Sequence, residues 1–97
     1  MALNDKQRRF LKGQAHSLKP VVMIGNSGLT PAVINEIEQA LSHHELIKVR
    51  VSGQERADRK VMLDEIAEQT KSDLVMVIGH IGGFYRPAEK PKISLPR

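Results

Sequence analysis

The chain has 97 residues, a formal net charge of +4 and no cysteine. That length supports one hydrophobic core and leaves no room for a second domain. Without thiols there is no disulfide framework, no thiolate zinc site and no cysteine nucleophile. The sequence turns polar at Asn4-Asp5-Lys6, and no apolar run approaches the roughly 20 residues of a membrane span. Neither a secretory signal nor a membrane partner is therefore expected, and the expected location is cytoplasmic.

Residues 4–18 predict an amphipathic helix, because Leu3, Phe10, Leu11, Ala15 and Leu18 recur on one side at 3.6-residue spacing. Lys6, Arg8, Arg9, Lys12, His16 and Lys19 share the opposite side. Residues 1–19 hold five Lys or Arg against Asp5 alone, which matches the surplus of the whole chain. An ordinary exposed face mixes both signs. Gly13 weakens this helix by about 1 kcal/mol relative to Ala, which close packing against a neighbour or a ligand backbone would explain.

A short strand over 21–25 runs into Gly25-Asn26-Ser27-Gly28-Leu29-Thr30-Pro31. Thr30 as N-cap and Pro31 as first helical residue start a second helix over 31–44, with Val33, Ile34, Ile37, Ala40 and Leu41 inward. Glycines at 25 and 28 allow positive φ and close approach of a ligand, and the helix N-terminus offers N–H groups to an anion. The same G-x-x-G is compatible with a bare strand-to-helix turn.

Residues 46–51 alternate, with Ile47, Val49 and Val51 on one face and Lys48 and Arg50 predicted side by side on an exposed one. After Ser52-Gly53 a third helix is expected over 56–71, lined by Met62, Leu63, Ile66, Ala67 and Thr70. Leu74–Ile78 is apolar without alternation, as in a central strand buried on both faces. Gly79-His80 turns the chain into a last strand, Ile81 to Arg86. Gly82-Gly83 within it marks a bulge or a close backbone approach. Residues 88–97 lack periodicity and are expected to be an extended, partly mobile tail. The charge alternates beyond residue 44, with a basic excess over 48–60 and an acidic one over 61–73, so one basic and one acidic face are expected.

The order α-β-α-β-α-β-β predicts a mixed four-stranded sheet of the α/β (α+β) class, with parallel neighbours through two strand-helix-strand units and a closing antiparallel hairpin. Catalytic spacings are missing. There is no H-E-x-x-H, and His43 and His44 diverge on a helix. Leu29 breaks the G-x-S-x-G pattern around Ser27, and neither a Gly-Lys-Ser/Thr end nor G-x-G-x-x-G occurs. No enzyme activity, cofactor, metal or small-molecule substrate is expected. Phe10, Phe84 and Tyr85 are the only aromatics, so a broad base-stacking platform of aromatic rings is not expected. Tyr85-Arg86 is the one place where a ring and a guanidinium could meet a base, unless Tyr85 belongs to the core edge.

The runs Lys6–His16, Lys19-Pro20-Val21-Val22, Gly25–Thr30 and His43–Val49, closing on Tyr85-Arg86-Pro87, resemble the CRM (chloroplast RNA splicing and ribosome maturation) domain in its bacterial stand-alone, YhbY-type form. The resemblance covers nearly the whole chain. It implies a single RNA-binding domain over 1–97, similar in fold to the C-terminal domain of translation initiation factor three. It also implies association with ribosomal RNA in large-subunit precursors and a role in ribosome assembly. Its suspected RNA contact, the G-x-x-G loop, falls on Gly25, Asn26, Ser27 and Gly28. Relatives often place Arg or Lys between these glycines, where this chain has a neutral pair, so more of the binding is assigned to cations. The candidate RNA-binding residues are then Gly25, Asn26, Ser27, Gly28, Lys6, Arg8, Arg9, Lys12, Lys19, Lys48, Arg50 and Arg86, on a chain expected to be monomeric when free. The alternative is a protein-interaction module that docks a ribosomal protein or another assembly factor through Glu36, Glu38 and Glu45 of the acidic second helix.

Overall fold

The computed structural model describes residues 3–97. Its elements are α1 (Asp5–His16), β1 (Pro20–Ile24), α2 (Pro31–His44), β2 (Leu46–Val51), α3 (Arg56–Thr70), β3 (Asp73–Ile78) and β4 (Ile81–Tyr85). Local chemistry sets the helix ends. Asn4 Oδ1 accepts the Gln7 N–H at 2.8 Å while Gln7 Oε1 accepts the Asn4 N–H at 3.1 Å, a capping box that starts α1. Thr30 Oγ1 accepts the Val33 N–H at 3.2 Å and Pro31 opens α2.

The sheet is four-stranded and mixed, in the order β1-β2-β4-β3. β1 and β2 are parallel across the α2 crossover, and both pairings of β4 are antiparallel. This corrects the expectation that β2 and β3 are neighbours, because β4 inserts between them. β3 is consequently an edge strand whose Val77 and Ile78 are exposed, and β4 is an interior strand beside β2, buried from Gly82 to Tyr85. A register shift between Leu74 and Met76 explains the missing alternation in β3. Leu74 packs toward α2 and α3, whereas Val75 and Met76 both reach the α1 side.

Close approach accounts for Gly82-Gly83. A Cβ on Gly82 would stand 2.6 Å from Leu63 Cδ2 of α3, and one on Gly83 would stand 2.5 Å from Met76 Cγ of β3. Glycine is what lets β4 sit against both. By contrast nothing lies within 4 Å of a Cβ on Gly13, so packing does not account for that glycine.

Helices cover both faces of the sheet. Ile37 and Leu41 of α2 with Leu63 and Ile66 of α3 enclose Val22, Ile24, Val49 and Phe84. On the other face Leu11 and Ala15 of α1 close over Leu46, Met76 and Tyr85. Residues 88–97 carry no helix or strand, yet they are tied down more firmly than expected. Ile93 and Leu95 pack on the α1-side cluster, and Gln7 Nε2 donates to Pro96 O at 3.1 Å.

Candidate functional site

The G-x-x-G segment leaves the sheet where the Ser52 N–H donates to Ile24 O at 2.8 Å, which ties it to the β2–α3 connection. Inside the loop the Gly28 N–H donates to Gly25 O and the Thr30 N–H to Gly28 O, both at 3.1 Å. Gly28 takes φ +70°, a left-handed conformation that disfavours any residue with a Cβ. Asn26 turns its side chain back onto Gly53, where a Cβ would collide with Asn26 Oδ1. Asn26 therefore leaves its backbone, rather than its side chain, open at the loop.

Several amides remain open. Among the described residues the N–H groups of Asn26, Ser27 and Ala32 donate to no protein acceptor, and no acid occupies the first turn of α2. Exposed amides at the positive end of a 14-residue helix form a place for an anionic oxygen.

The predicted cations separate into two groups. Lys6, Arg9, Lys12, Lys19 and Arg50 are exposed. Lys48, Arg8 and Arg86 are engaged within the fold. Lys48 is only 9% exposed, and its Nζ donates to His16 O at 3.3 Å and Leu18 O at 3.0 Å. It closes the C-terminal end of α1, where carbonyls lack intrahelical partners and the dipole favours a cation. The expectation of Lys48 beside Arg50 on an open face is thus overturned, because α1 lies over the inner part of that face. Arg8 Nη1 donates to Leu74 O at 3.0 Å, and its Nη2 lies 3.9 Å from Asp73 Oδ1.

Arg86 is the most heavily engaged. Nη1 donates to Glu38 Oε2 and Thr70 O at 2.8 Å each, and Nη2 to Glu38 O at 3.3 Å and Ser42 Oγ at 3.1 Å. One guanidinium thereby joins the end of β4 to α2 and α3. Its neighbour Tyr85 is 1% exposed, which resolves that residue as core rather than a base contact. Burial, followed by the nearby charges of Glu45 and Asp73, pushes the Tyr85 hydroxyl above its ordinary range.

The structure brings the loop and Arg50 together: Met23, one residue before Ile24, pairs with Arg50 on β2. Lys19 lies at the opposite end of β1, separated from the loop by a strand of roughly 16 Å. An extended ligand touching both would run along this edge of the sheet.

Two features escaped the sequence. Arg56, Arg59 and Lys60 line an open groove of about 820 Å³ with Val77 and Gly79; its signal was the basic excess over residues 48–60. Arg59 Nη1 donates to Gln54 O at 2.9 Å and Lys60 pairs with Asp64 at 2.9 Å. The second feature is Glu45, a 1% exposed carboxylate at φ +64° that accepts the N–H groups of Ala88, Lys92 and Ile93. Nothing in its sequence surroundings distinguishes it from a solvated helix-end acid. Glu38 and Glu45 are both committed internally, so the acidic docking face expected of α2 keeps only Glu36. Among the described residues no group of three His, Cys, Asp or Glu is placed to hold a metal, and no helix is long and apolar enough to cross a membrane.

The CRS1/YhbY (CRM) domain matches residues 3–86. An RNA-binding protein of Haemophilus influenzae is 54% identical over 95 residues, covering 98% of this chain and 96% of the relative. A probable RNA-binding protein of Bacillus subtilis is 35% identical over 97% of this chain and 99% of its own length. Among solved structures, that of a hypothetical Staphylococcus aureus protein, itself proposed to bind RNA, superposes with a TM-score of 0.85 at 38% identity. It covers 98% of this chain and 100% of the other.

Proposed function

The chain belongs to the CRS1/YhbY (CRM) domain family, and on that premise we propose that it is a non-enzymatic RNA-binding protein. The observation that carries this reading is the loop: open amides of Asn26, Ser27 and Ala32 at the start of α2, with unpaired Arg50 one strand away. Relatives bearing RNA-binding names support it. Phosphates dock at the loop, where Gly25 and Gly28 keep the backbone accessible, while Lys6, Arg9, Lys12, Lys19 and Arg50 neutralise neighbouring phosphates. Lys48, Arg8 and Arg86 serve by holding the fold that presents these groups.

The RNA we propose is ribosomal RNA in precursors of the large subunit, bound in the cytoplasm to assist assembly. The 97-residue chain acts as one RNA-binding unit. The acidic-helix alternative loses support because Glu38 and Glu45 are engaged within the chain.

Sedimentation of cell extract through density gradients at low and high salt tests this. The protein is expected with large-subunit precursors at low salt and at the top at high salt; its absence from ribosomal fractions at both would overturn the ribosomal assignment. With purified protein and single-stranded RNA, engagement of the five exposed cations gives log affinity against log salt a slope of about −3.5. A slope near zero would overturn phosphate-led binding.

A further inference from the structure

α1 covers its face of the sheet only in part. Met23 pairs with Arg50, Arg50 with Ile81 and Ile81 with Ile78, so one residue from each strand forms an unbroken row in the order β1-β2-β4-β3. Paired residues project to the same face. The next level inward, Lys48, Gly83 and Met76, is buried toward α1. In the outer row Met23 is 69% and Ile78 58% exposed, Ile81 is half-buried, and Arg50 is exposed with no protein partner among the described residues. Four strands at about 4.8 Å spacing make the row roughly 14 Å wide.

Single exposed apolar residues are ordinary, whereas three grouped on one sheet face around an unpaired arginine mark a contact surface. This row begins at Met23, two residues before the G-x-x-G loop, on the strand end from which the loop departs.

We propose that the Met23-Arg50-Ile81-Ile78 row is a platform for unpaired bases of single-stranded RNA, whose adjoining phosphate is held by the loop amides. This rests on the RNA-binding reading and extends it by assigning the base contact. The exposed row, apolar at Met23, Ile81 and Ile78 with Arg50 between them, offers planar rings a surface without requiring a pocket. Arg50 at its centre can lie against a base face or pair with a phosphate. The same arginine disfavours a second copy of this chain, since a two-fold contact centred on the row would bring two unpaired guanidinium groups together. Base faces are available in single strands and closed by stacking within duplexes. Met and Ile supply contact without aromatic rings and without reading base edges, so sequence-tolerant recognition follows.

The test compares wild type with the Met23→Ser/Ile78→Ser double variant on three probes of equal length: a mixed-sequence single strand, a duplex and an abasic ribose-phosphate strand. Wild type is expected to bind the single strand about tenfold more tightly than the abasic strand, a margin at the lower end of what a base stacked on an aromatic ring supplies. The variant is expected to lose that margin and keep its duplex affinity, and Met23→Leu/Ile78→Leu to restore most of it. Both changes are at exposed positions, and circular dichroism of the two variants checks that the fold is retained. Equal binding of single and abasic strands by wild type would overturn the platform while leaving phosphate-led RNA binding intact. No binding to any probe would overturn both. A variant that lowers self-association on sedimentation and leaves RNA affinity unchanged would assign the row to a second copy and overturn the proposal.

Discussion

Glu45 Oε1 accepts the backbone N–H of Lys92 at 2.8 Å, which joins the end of α2 to the C-terminal segment. The same carboxylate takes the N–H groups of Ile93 at 3.0 Å and Ala88 at 2.8 Å. Burial alone would raise its pKa. The three amides and the Lys92 charge outweigh burial and hold the carboxyl below its ordinary value of 4.5. The folded state therefore releases this proton at lower pH than the unfolded chain. The resulting stability is complete above about pH 4.5 and is lost as pH falls through the depressed folded value. Amide resonances of Ala88, Lys92 and Ile93 followed by NMR during acidification should shift together in that window. Glu45→Gln should remove the common step and cost about 1–3 kcal/mol at neutral pH. A common step that persists in Glu45→Gln would assign it to another group.

Lys48 and Arg50 are two residues apart on one strand and are expected to behave oppositely. Lys48→Met leaves two carbonyls at the end of α1 without their donor and should cost about 1.5–3 kcal/mol in urea unfolding. Faster hydrogen exchange should accompany it in the last turn of α1. Arg50→Gln should change stability by about 0.5 kcal/mol or less and make the salt slope for RNA shallower by about 0.7. Equal stability losses in the two variants would contradict their different environments.

The two loop glycines separate folding from binding. Gly28 adopts φ +70°, so Gly28→Ala should destabilise by roughly 1–2 kcal/mol. Gly25 has no positive φ, and nothing lies within 4 Å of a Cβ built there. The fold therefore does not require glycine at position 25. Gly25→Ala should unfold at the wild-type urea concentration, and a several-fold loss of RNA affinity is expected because a methyl group then meets the approaching phosphate backbone. Unchanged affinity would separate the loop from RNA contact.

Arg86→Lys preserves charge but cannot reproduce a planar fork that bonds Glu38, Thr70 and Ser42 at once. We expect a loss of about 2–4 kcal/mol in urea unfolding, within the range for a broken, partly buried charged network. The salt slope for RNA should remain that of wild type. A shallower slope with unchanged stability would return Arg86 to the RNA-contacting set.

Local patterns carried much of this architecture. The seven elements and their order were legible, and α2 and β2 have the predicted bounds, because Thr30-Pro31 starts the helix and strict alternation identifies the strand. The family was legible as well, from motifs spread along nearly the whole chain. Strand order was less accessible. Leu74–Ile78 has the apolar character of a central strand, but the partners of a strand are set by hydrogen bonding to distant segments. The closeness allowed by Gly82 and Gly83 favours β4 in the interior, and the shift at Leu74/Met76 removes the alternation by which an edge strand is recognised.

Among the site residues, composition and spacing placed charge on particular segments but could not say which charges face solvent. Lys6 and Arg9 stay on the outer side of α1, as helical periodicity requires, whereas alternation along β2 put Lys48 and Arg50 on one face without saying that α1 covers half of it. The same limit hid Glu45, whose amide partners lie more than forty residues along the chain. Sequence by itself determined the helices, the glycine turn and the sign of the charge, since each depends on neighbours within a few residues. Only tertiary structure decided which cations are structural and that Met23, Arg50, Ile81 and Ile78 share one row, because burial and register are properties of segments brought together from far apart.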